Sequence, residues 1–426
     1  MHRLTSLTLA LLLSIGAATA AAAAEAVQID TDFTAGTAGT VEKRAEDHLA
    51  FTPATKAPAG QFFYACVRVS GLAAGQALKL DLVWPAVKTW DPASGPKPKG
   101  DAARPYAPSF AAVLPQIIVQ SADLRTWTPV AGAAAADENT VRVPLAGTGR
   151  PIYVATQMPY TADLYADLIR HVKDREPAAV REVGKTHGGL PLYVITLEAA
   201  RPEARPRTVF IQGYQHLTEF TGPLAADAAV RYLLDAEGGK KARANLSFQI
   251  LPAFQVDSLT HGRAAASRPG QTSNSNRDWA AKTWPEVRAV DAFLRAEMAA
   301  GRKYALGFDL HNGWSNPKAS GACYTIYPKA WVDESVIAKQ KEFIDFLYAR
   351  TDHEAPGRYW GHEAEGTFKE YFYRTTGTLS YTIEFSRFMW WNRAAKAYEP
   401  YRPEHPARFA GQFIDAVAEF CETAAK

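Results

Sequence analysis

The residues best suited to chemistry lie in the stretch Arg207–Gly222, which reads RTVFIQGYQHLTEFTG. Its apolar first half predicts a strand, and His216 and Glu219 follow as an H-x-x-E motif. Thr221-Gly222-Pro223 should break the chain before a helical pattern that starts at Leu224. The motif therefore places an imidazole and a carboxylate at the carboxyl end of a strand, where ligands bind in open α/β sheets. This ligand pair suits zinc, while a histidine beside a surface glutamate is the structural alternative.

A second histidine, His311, ends another apolar run, YALGFDLHNGW. Two histidines and one carboxylate leave a fourth coordination position open, which is the pattern of catalytic rather than structural zinc. Glu384 comes late in a run of strand-forming residues in TLSYTIEFSRF. A carboxylate there could take a proton from water and pass it to a leaving amine. A salt bridge with Arg387 is the alternative interpretation.

Asn276-Arg277 lies in a polar loop, SNSNRDW, and Arg268 precedes it. A guanidinium has a rigid fork of donors for a carboxylate, and a neighbouring amide can add hydrogen bonds. Without further context, a solvated surface charge is the better interpretation of any single arginine.

The elements that must position these residues divide the chain in two. From Val27 to about Pro159, short strand candidates alternate with turn residues, which favours a β-sandwich. The candidates are Val27–Phe33, Gln61–Val69, Ala77–Val83, Gln116–Gln120, Thr140–Pro144 and Ile152–Gln157. The Pro-, Gly- and Lys-rich stretch Trp84–Ser109 is predicted to be irregular.

The second half begins with a predicted helix at Thr161–Lys173, and strands and helices then alternate. Alternation predicts a mostly parallel sheet covered on both faces. Strands are predicted at Leu192–Leu197, Thr208–Tyr214, Ser247–Ala253, Tyr304–Leu310 and Leu379–Phe385, and helices at Leu224–Ala236, Pro285–Ala299, Glu334–Arg350 and Pro406–Ala425. We place the boundary near Tyr160, which gives domains at 25–159 and 160–426.

Composition, net charge and cysteine count limit the classes of protein to which this chain can belong. The 426 residues are 47% hydrophobic and 21% charged, as in globular proteins with a large core. A net charge of +3 without a basic cluster gives no electrostatic case for nucleic acid. At most one disulfide can form from the three cysteines, and Cys66, within the strand-like FFYACVRV, is expected to be a buried free thiol.

Residues 1–24 have the pattern of a secretory signal peptide. Arg3 precedes the apolar run Leu7–Ile15, and small residues offer a cleavage site. The run is too short to span a bilayer, and no other stretch reaches spanning length. We therefore expect an exported protein, periplasmic or secreted from a bacterium, with no membrane span after cleavage and with an unknown oligomeric state.

The collected motifs resemble, in order, those of the zinc carboxypeptidase (funnelin, M14) family over roughly residues 160–426. The resemblance implies an α/β fold with a mixed eight-stranded sheet flanked by helices, preceded by an all-β sandwich domain. It implies that one zinc ion per chain is bound by His216, Glu219 and His311. It also implies that Glu384 is the general base.

The resemblance extends to residues that would bind the substrate. Asn276 and Arg277 would bind the C-terminal carboxylate of a peptide. Arg268 would polarise the scissile carbonyl and stabilise the oxyanion. Arg263 is an alternative for that role, because the loop reads PAFQVDSLTHGR where the family usually has N-P-D-G.

The first half is similar to the N-terminal domain of the cytosolic-type branch of this family, in QFFYACVRVSG, DLRTWTPV and YVATQMPYTADLYADL. A gap-free alignment puts Lys369 at the base of the pocket for the C-terminal side chain, where it would favour Asp or Glu. The alternative is a solvent-facing Lys369 paired with Glu370. His362 falls near the family tyrosine that closes on the substrate, and Tyr359 or Tyr371 could replace it.

Three hypotheses follow. The first is a metallocarboxypeptidase that is active as exported and acts on peptide or protein C-termini. The second is a zinc hydrolase of peptidoglycan stem peptides. The third is a zinc-free binding module on the same fold, which the presence of all three ligands and of Glu384 disfavours.

Overall fold

The computed structural model describes residues 26–54, 64–84, 113–137, 139–201, 207–261, 274–313, 323–354, 356, 359–361 and 365–423. The predicted signal peptide, and all of the predicted irregular stretch except Trp84, lie outside these residues. Two small β-sheets precede a larger sheet with helices.

The N-terminal region consists of two five-stranded sheets, β1-β4-β10-β6-β7 and β2-β3-β5-β9-β8. Their strands are β1 Gln28–Asp30, β2 Gly39–Ala45, β3 His48–Pro53, β4 Cys66–Ser70, β5 Ala77–Val83, β6 Val119–Ser121, β7 Thr128–Pro129, β8 Ala134–Ala135, β9 Thr140–Ala146 and β10 Ile152–Ala155. Alternate residues of β5, Leu78 and Leu80, are buried in one cluster with Val67 and Val154 of the other sheet. The two sheets thus bury apolar residues in one shared core. The region is β-rich, as the sequence predicts.

The hairpin formed by β2 and β3 was not predicted from the sequence. Every residue of β2 is exposed, so it lacks the apolar alternation by which a half-buried strand is recognised. The other strand predictions overlap observed strands, although the first part of Gln61–Val69 lies outside the described residues. Cys66 is buried and free, as predicted.

The second region contains an eight-stranded sheet in the order β11-β12-β14-β13-β15-β18-β16-β17. Its strands are β11 Ala178–Lys185, β12 Pro191–Leu197, β13 Arg207–Gly213, β14 Leu246–Leu251, β15 Tyr304–Asn312, β16 Cys323–Ile326, β17 Tyr359–Gly361 and β18 Ser380–Phe385. A hairpin of β19 Met389–Asn392 and β20 Ala397–Pro400 follows. The α-helices of this second region, within the described residues, are α1 Ala162–Val172, α2 Thr221–Asp235, α3 Glu237–Ala242, α4 Val256–His261, α5 Pro285–Ala299, α6 Glu334–Tyr348, α7 Phe368–Thr376 and α8 His405–Thr423.

The sheet is mixed, and four of its seven strand pairs, including β16–β17, are parallel, so the expectation of a mostly parallel sheet is confirmed. The central strands β14, β13, β15 and β18 are parallel, whereas β11, β12 and β16 join by antiparallel pairing. The eight strands and flanking helices agree with the fold that the resemblance implies. The boundary near Tyr160 stays a prediction, and it falls between the end of β10 and the start of α1.

Helix α2 begins at Thr221 rather than at Leu224, so the predicted break at Thr221-Gly222-Pro223 was wrong. Pro223 occupies the first turn, where a missing N–H costs little because it would lack a helical partner anyway. The helix therefore starts only two residues after Glu219. Within the described residues, no helix has the length and hydropathy needed to cross a membrane.

Candidate metal centre

The segment between β13 and α2 carries the H-x-x-E motif on a constrained backbone. Tyr214 and Thr218 adopt left-handed conformations, with φ of 65° and 62°. Such values are unfavourable for residues with side chains and cluster at functional sites. The carbonyl of Gln215 accepts hydrogen bonds from Gln255 and from the Ser275 hydroxyl. Neighbouring elements thus hold the loop in a shape that the chain would not adopt alone.

The start of α2 packs directly on strand β15. A Cβ atom at Gly222 would lie 2.5 Å from the backbone oxygen of Leu310. Because no side chain fits that space, glycine at this position allows the helix start to approach the strand that carries His311. The close contact brings the two halves of the candidate site together.

Three ligand atoms converge, one each from His216, Glu219 and His311, all within 4.8 Å of one another. The Nδ1 atom of His216 lies 3.2 Å from Glu219 Oε1, and the Nδ1 atom of His311 lies 2.8 Å from Glu219 Oε2. The two Nδ1 atoms are 3.2 Å apart. Ligands of a tetrahedral zinc with bonds of about 2.0–2.1 Å are separated by roughly 3.3 Å. The spacing therefore fits a zinc ion.

The opposite ring nitrogens have oxygen partners that fix the tautomers. His216 Nε2 lies 2.8 Å from Asn274 Oδ1, and His311 Nε2 lies 2.8 Å from Asp309 Oδ2. Each Nε2 donates its hydrogen to that oxygen, which leaves the Nδ1 lone pairs directed at the common centre. The donor set thus fits zinc in tautomer as well as in distance.

The charges of the site are strongly coupled. Burial disfavours the ionised form of Glu219, but the neighbouring His216 and His311 outweigh it and hold the carboxyl pKa far below its usual range. Burial also opposes a charge on His311, while the carboxylates of Asp309 and Glu219 outweigh it and raise the pKa. The two carboxylates therefore create a strongly cation-binding environment at the convergence point.

Glu384 lies next to His311 in the sheet, because His311 and Glu384 are register partners in the parallel pair β15–β18. Burial raises the pKa of Glu384 to about 7; the charge of His311 opposes this increase and that of Glu219 adds to it. The backbone carbonyl of Glu384 accepts a hydrogen bond from His353 Nε2 at 3.2 Å. This contact holds the backbone of Glu384, and the charges that act on its carboxyl show that it lies within electrostatic range of the metal ligands.

The alternative pairing of Glu384 with Arg387 is not the arrangement seen. Arg387 donates to the carbonyl of Thr218 at 3.0 Å and approaches Glu219 Oε1 at 4.0 Å. Burial lowers the pKa of Arg387, against the charges of Glu219 and Glu384. Arg387 therefore supports the backbone of the H-x-x-E loop.

Asn276 and Arg277 lie within the same site. The side chain of Asn276 accepts from the backbone N–H of Phe368 at 2.8 Å, and its Nδ2 atom is 3.2 Å from His311 Nε2. Arg277 donates to the backbone oxygen of Asn276. Burial lowers the pKa of Arg277, and the charge of Glu384 opposes that effect. The guanidinium is therefore within electrostatic range of the candidate base.

Lys369 is buried, with 2% of its surface exposed. Its ammonium group donates to the backbone oxygen of Ile326 at 2.8 Å and lies over the rings of Tyr327 and Trp331. Glu370 pairs with Arg374 instead. The solvent-facing alternative for Lys369 was therefore wrong, whereas its role in a pocket stays a prediction.

Arg268, Arg263 and His362 lie outside the described residues, so their predicted roles stay predictions. The two tyrosines considered as replacements for the closing tyrosine have carboxylate partners. Tyr371 donates its hydroxyl to Asp291 at 2.6 Å, and Tyr359 donates to Asp345. Both hydroxyls are thus bonded to carboxylates of helices, Asp291 of α5 and Asp345 of α6.

Sequence reasoning missed the residues that orient the two histidines, Asp309 and Asn274. Asp309 is fully buried and also accepts from Gln215 at 2.6 Å and from Gln212 at 3.2 Å. Its position two residues before His311 was the available signal, because residues i and i+2 of a strand share a face. Asn274 lies in a loop, where no periodicity indicates which way its side chain points.

Residues 165–314 match the profile of the family described as zinc carboxypeptidase. This part of the chain therefore matches the zinc carboxypeptidase family. The family consists of zinc-dependent peptide hydrolases, which agrees with the three converging ligands. No curated protein sequence matches the chain.

Solved structures resemble this chain over nearly its whole length. A metallo-carboxypeptidase from Burkholderia cenocepacia is 20% identical, with a TM-score of 0.69 over 93% of this chain and 99% of that one. A metallo-carboxypeptidase from Pseudomonas aeruginosa, in complex with (2-guanidinoethylmercapto)succinic acid, is 16% identical, with a TM-score of 0.65 over 93% and 99%. At such identities the likeness shows the shared fold, including the β-rich N-terminal region.

Proposed function

We propose that this protein is an exported zinc metallocarboxypeptidase that removes C-terminal residues from peptides. The observation that carries the proposal is the convergence of His216, Glu219 and His311 beside Glu384. A purely structural zinc site would have no use for a partly buried carboxylate of raised pKa adjacent to its ligands. The predicted signal peptide supports export.

The residues of the chain divide the chemical work. Zinc, when bound, supplies Lewis acidity toward the scissile carbonyl and lowers the pKa of water. Glu384 accepts the proton of the attacking water and delivers it to the leaving amine. Arg277 binds the terminal carboxylate of the substrate, with Asn276 beside it. Arg268, or Arg263 in its place, stabilises the oxyanion.

A preference for C-terminal Asp or Glu is the finer part of the proposal. Lys369 lies in the first turn of α7, and the backbone N–H of the preceding residue, Phe368, is held by Asn276. This contact supports a location near the proposed carboxylate site. An ammonium group among aromatic rings would pair with an acidic side chain and repel a basic one.

The deciding experiment measures the zinc content of the purified mature protein together with its cleavage of peptides that differ only in the C-terminal residue. We expect one zinc per chain and loss of terminal Asp or Glu, detected by mass spectrometry. Glu384→Gln should retain zinc and lose cleavage by at least about 100-fold. Glu334→Gln, which alters an exposed carboxylate, is the matched control.

Each other outcome has a distinct meaning. Zinc with cleavage of non-acidic residues would keep the mechanism and contradict the role of Lys369, as would unchanged selectivity in Lys369→Met relative to the exposed control Lys329→Met. Zinc with cleavage only of peptidoglycan stem peptides would favour the second hypothesis. Zinc binding without cleavage of any peptide would favour a binding module, and absence of zinc would overturn the metal site.

A further inference from the structure

Phe220, the residue that follows Glu219, connects the H-x-x-E loop to the N-terminal β region. Phe220 packs edge-on against Tyr64 of the N-terminal region, with ring centroids 5.0 Å apart, and stacks on Tyr214 at 5.7 Å. The hydroxyl of Tyr64 is fixed in turn by the backbone oxygen of Ala35 at 2.9 Å. Phe220 is therefore held between the metal loop and the β region.

A polar chain of contacts runs in parallel with this aromatic contact. Gln157, just after β10, donates from Nε2 to the Thr221 hydroxyl at 2.8 Å. The same hydroxyl accepts from Asn312 Nδ2 at 2.8 Å, and the backbone N–H of Thr221 donates to Asn312 Oδ1 at 3.1 Å. The backbone N–H of Asn312 donates to Glu219 Oε2 at 3.2 Å. We call Gln157, Thr221, Asn312 and Glu219 the Gln157 network.

The members of the Gln157 network are buried, so they bond to one another rather than to solvent. Gln157 is 2% exposed, Thr221 is fully buried and Asn312 is 3% exposed. Buried polar groups are costly unless they are satisfied, so removing one member leaves its partners without their hydrogen bonds. Asn312 directly follows the ligand His311, and Thr221 lies two residues after the ligand Glu219. The network therefore connects both halves of the metal site to a residue outside it.

We propose that Gln157 is a positioning residue of the metal centre, and that the N-terminal β region orients Glu219 through Thr221 and Asn312. This inference rests on the metal site of the proposed function, and it deepens that function. The β region is then a part of the zinc site rather than an independent appendage. Gln157 does not touch the metal; it acts by holding the carboxylate in its binding orientation.

The test measures zinc affinity by competition with a chelator in the full-length mature protein. Gln157→Met keeps the side-chain length and removes the amide, and Thr221→Val removes the hydroxyl. We expect each to weaken zinc binding about three- to ten-fold, less than the 10–100-fold seen for groups bonded directly to a ligand. The double variant should bind zinc no more weakly than either single variant, because both changes break the same chain of hydrogen bonds. Thr221→Ser keeps the hydroxyl and should therefore retain most of the zinc affinity.

Tyr160→Phe is the matched control. Tyr160 lies three residues after Gln157 and also bonds to α2, through Asp227 at 3.1 Å, but this contact does not lead to Glu219. It should lower the melting temperature of the metal-free protein without changing zinc affinity. Unchanged affinity in Gln157→Met, or an equal loss in Tyr160→Phe, would overturn the inference.

The outcome is separable from that of the proposed function. If the wild type binds zinc but cleaves no peptide, the hydrolase fails, while the affinity series still decides the role of Gln157. If the wild type cleaves peptides and Gln157→Met binds zinc normally, only the positioning role fails. A wild type that binds no zinc would overturn both.

Discussion

The two sides of the metal centre are built differently. His311 comes from the buried central strand β15, is 2% exposed in its side chain, and bonds to the carboxylate of Asp309. His216 comes from a loop with left-handed residues, is 26% exposed, and bonds to the neutral amide of Asn274. The strand side is therefore rigid by its own packing, whereas the loop side depends on neighbours for its shape. A site built in this way holds one ligand firmly and adjusts the other.

The largest expected effect comes from removing each histidine. His311→Ala and His216→Ala should both abolish stoichiometric zinc binding, but they should differ in the metal-free state. Loss of His311 removes the ion-pair partner of the buried Asp309, which keeps only its hydrogen bonds from two glutamine amides, and should cost about 3–5 kcal/mol of unfolding free energy. Loss of the more exposed His216 should cost about 1–2 kcal/mol. Denaturant unfolding in the presence of a chelator measures the difference, and equal losses would contradict the comparison.

Gly222→Ala should disturb the contact between the two sides. The added methyl would meet the Leu310 backbone at 2.5 Å, so α2 must move away from β15. Overpacking of this kind costs about 1–3 kcal/mol. We expect a lower melting temperature together with weaker zinc binding. Gly361→Ala, which has open space around the added Cβ, is the control and should change neither.

Exchanging the oxygen partners of the two histidine rings tests the difference between the strand side and the loop side of the metal centre. Asp309→Asn removes the charge that orients His311, and we expect zinc affinity to fall about 10–100-fold. Asn274→Asp gives His216 a carboxylate partner, and zinc should bind a few-fold more tightly because the ligand becomes more basic. Chelator competition measures both. Tighter binding in Asp309→Asn would contradict the assigned tautomer of His311.

The smallest expected effect at neutral pH concerns His353, which bonds to the backbone oxygen of Glu384 on strand β18. His353 is fully buried among aromatic rings, and burial lowers its pKa to about 3. Because the folded pKa lies below the unfolded value of about 6.5, the unfolded state gains protons first, and stability falls as pH decreases from about 6.5 toward 3. At pH 5 the loss is about 2 kcal/mol. His353→Phe should make unfolding free energy less dependent on pH over this window, whereas an unchanged dependence would exclude His353 as its source.

The sequence was sufficient for residues that mark the ends of predictable strands. His311 and Glu384 follow apolar runs, and His216 follows another, so local pattern and strand order bring them to one edge. The helix start at Thr221 was missed because Pro223 indicates a break unless its place in the first turn is known. The environments of Lys369 and Asp309 could not be predicted, because burial of a charge depends on partners distant in sequence.

The outer strands β11, β16 and β17 were not predicted, for a related reason. Strand β11 has few buried residues, so its pattern resembles a loop. Strands β16 and β17 are short, with four and three residues. Only their pairing partners identify them as strands. Regular elements with a buried face were predictable, and elements defined by non-local hydrogen bonds were not.

The place of β15 between β13 and β18 has a consequence during synthesis. Until residues 380–385 emerge, β15 has no partner on one side, and the strand that carries His311 is an open edge. At about 5–20 residues per second, the intervening chain takes several seconds to appear. An unpaired apolar edge over that time can pair with another chain. Newly made protein thus depends on covering this edge before its metal site can form.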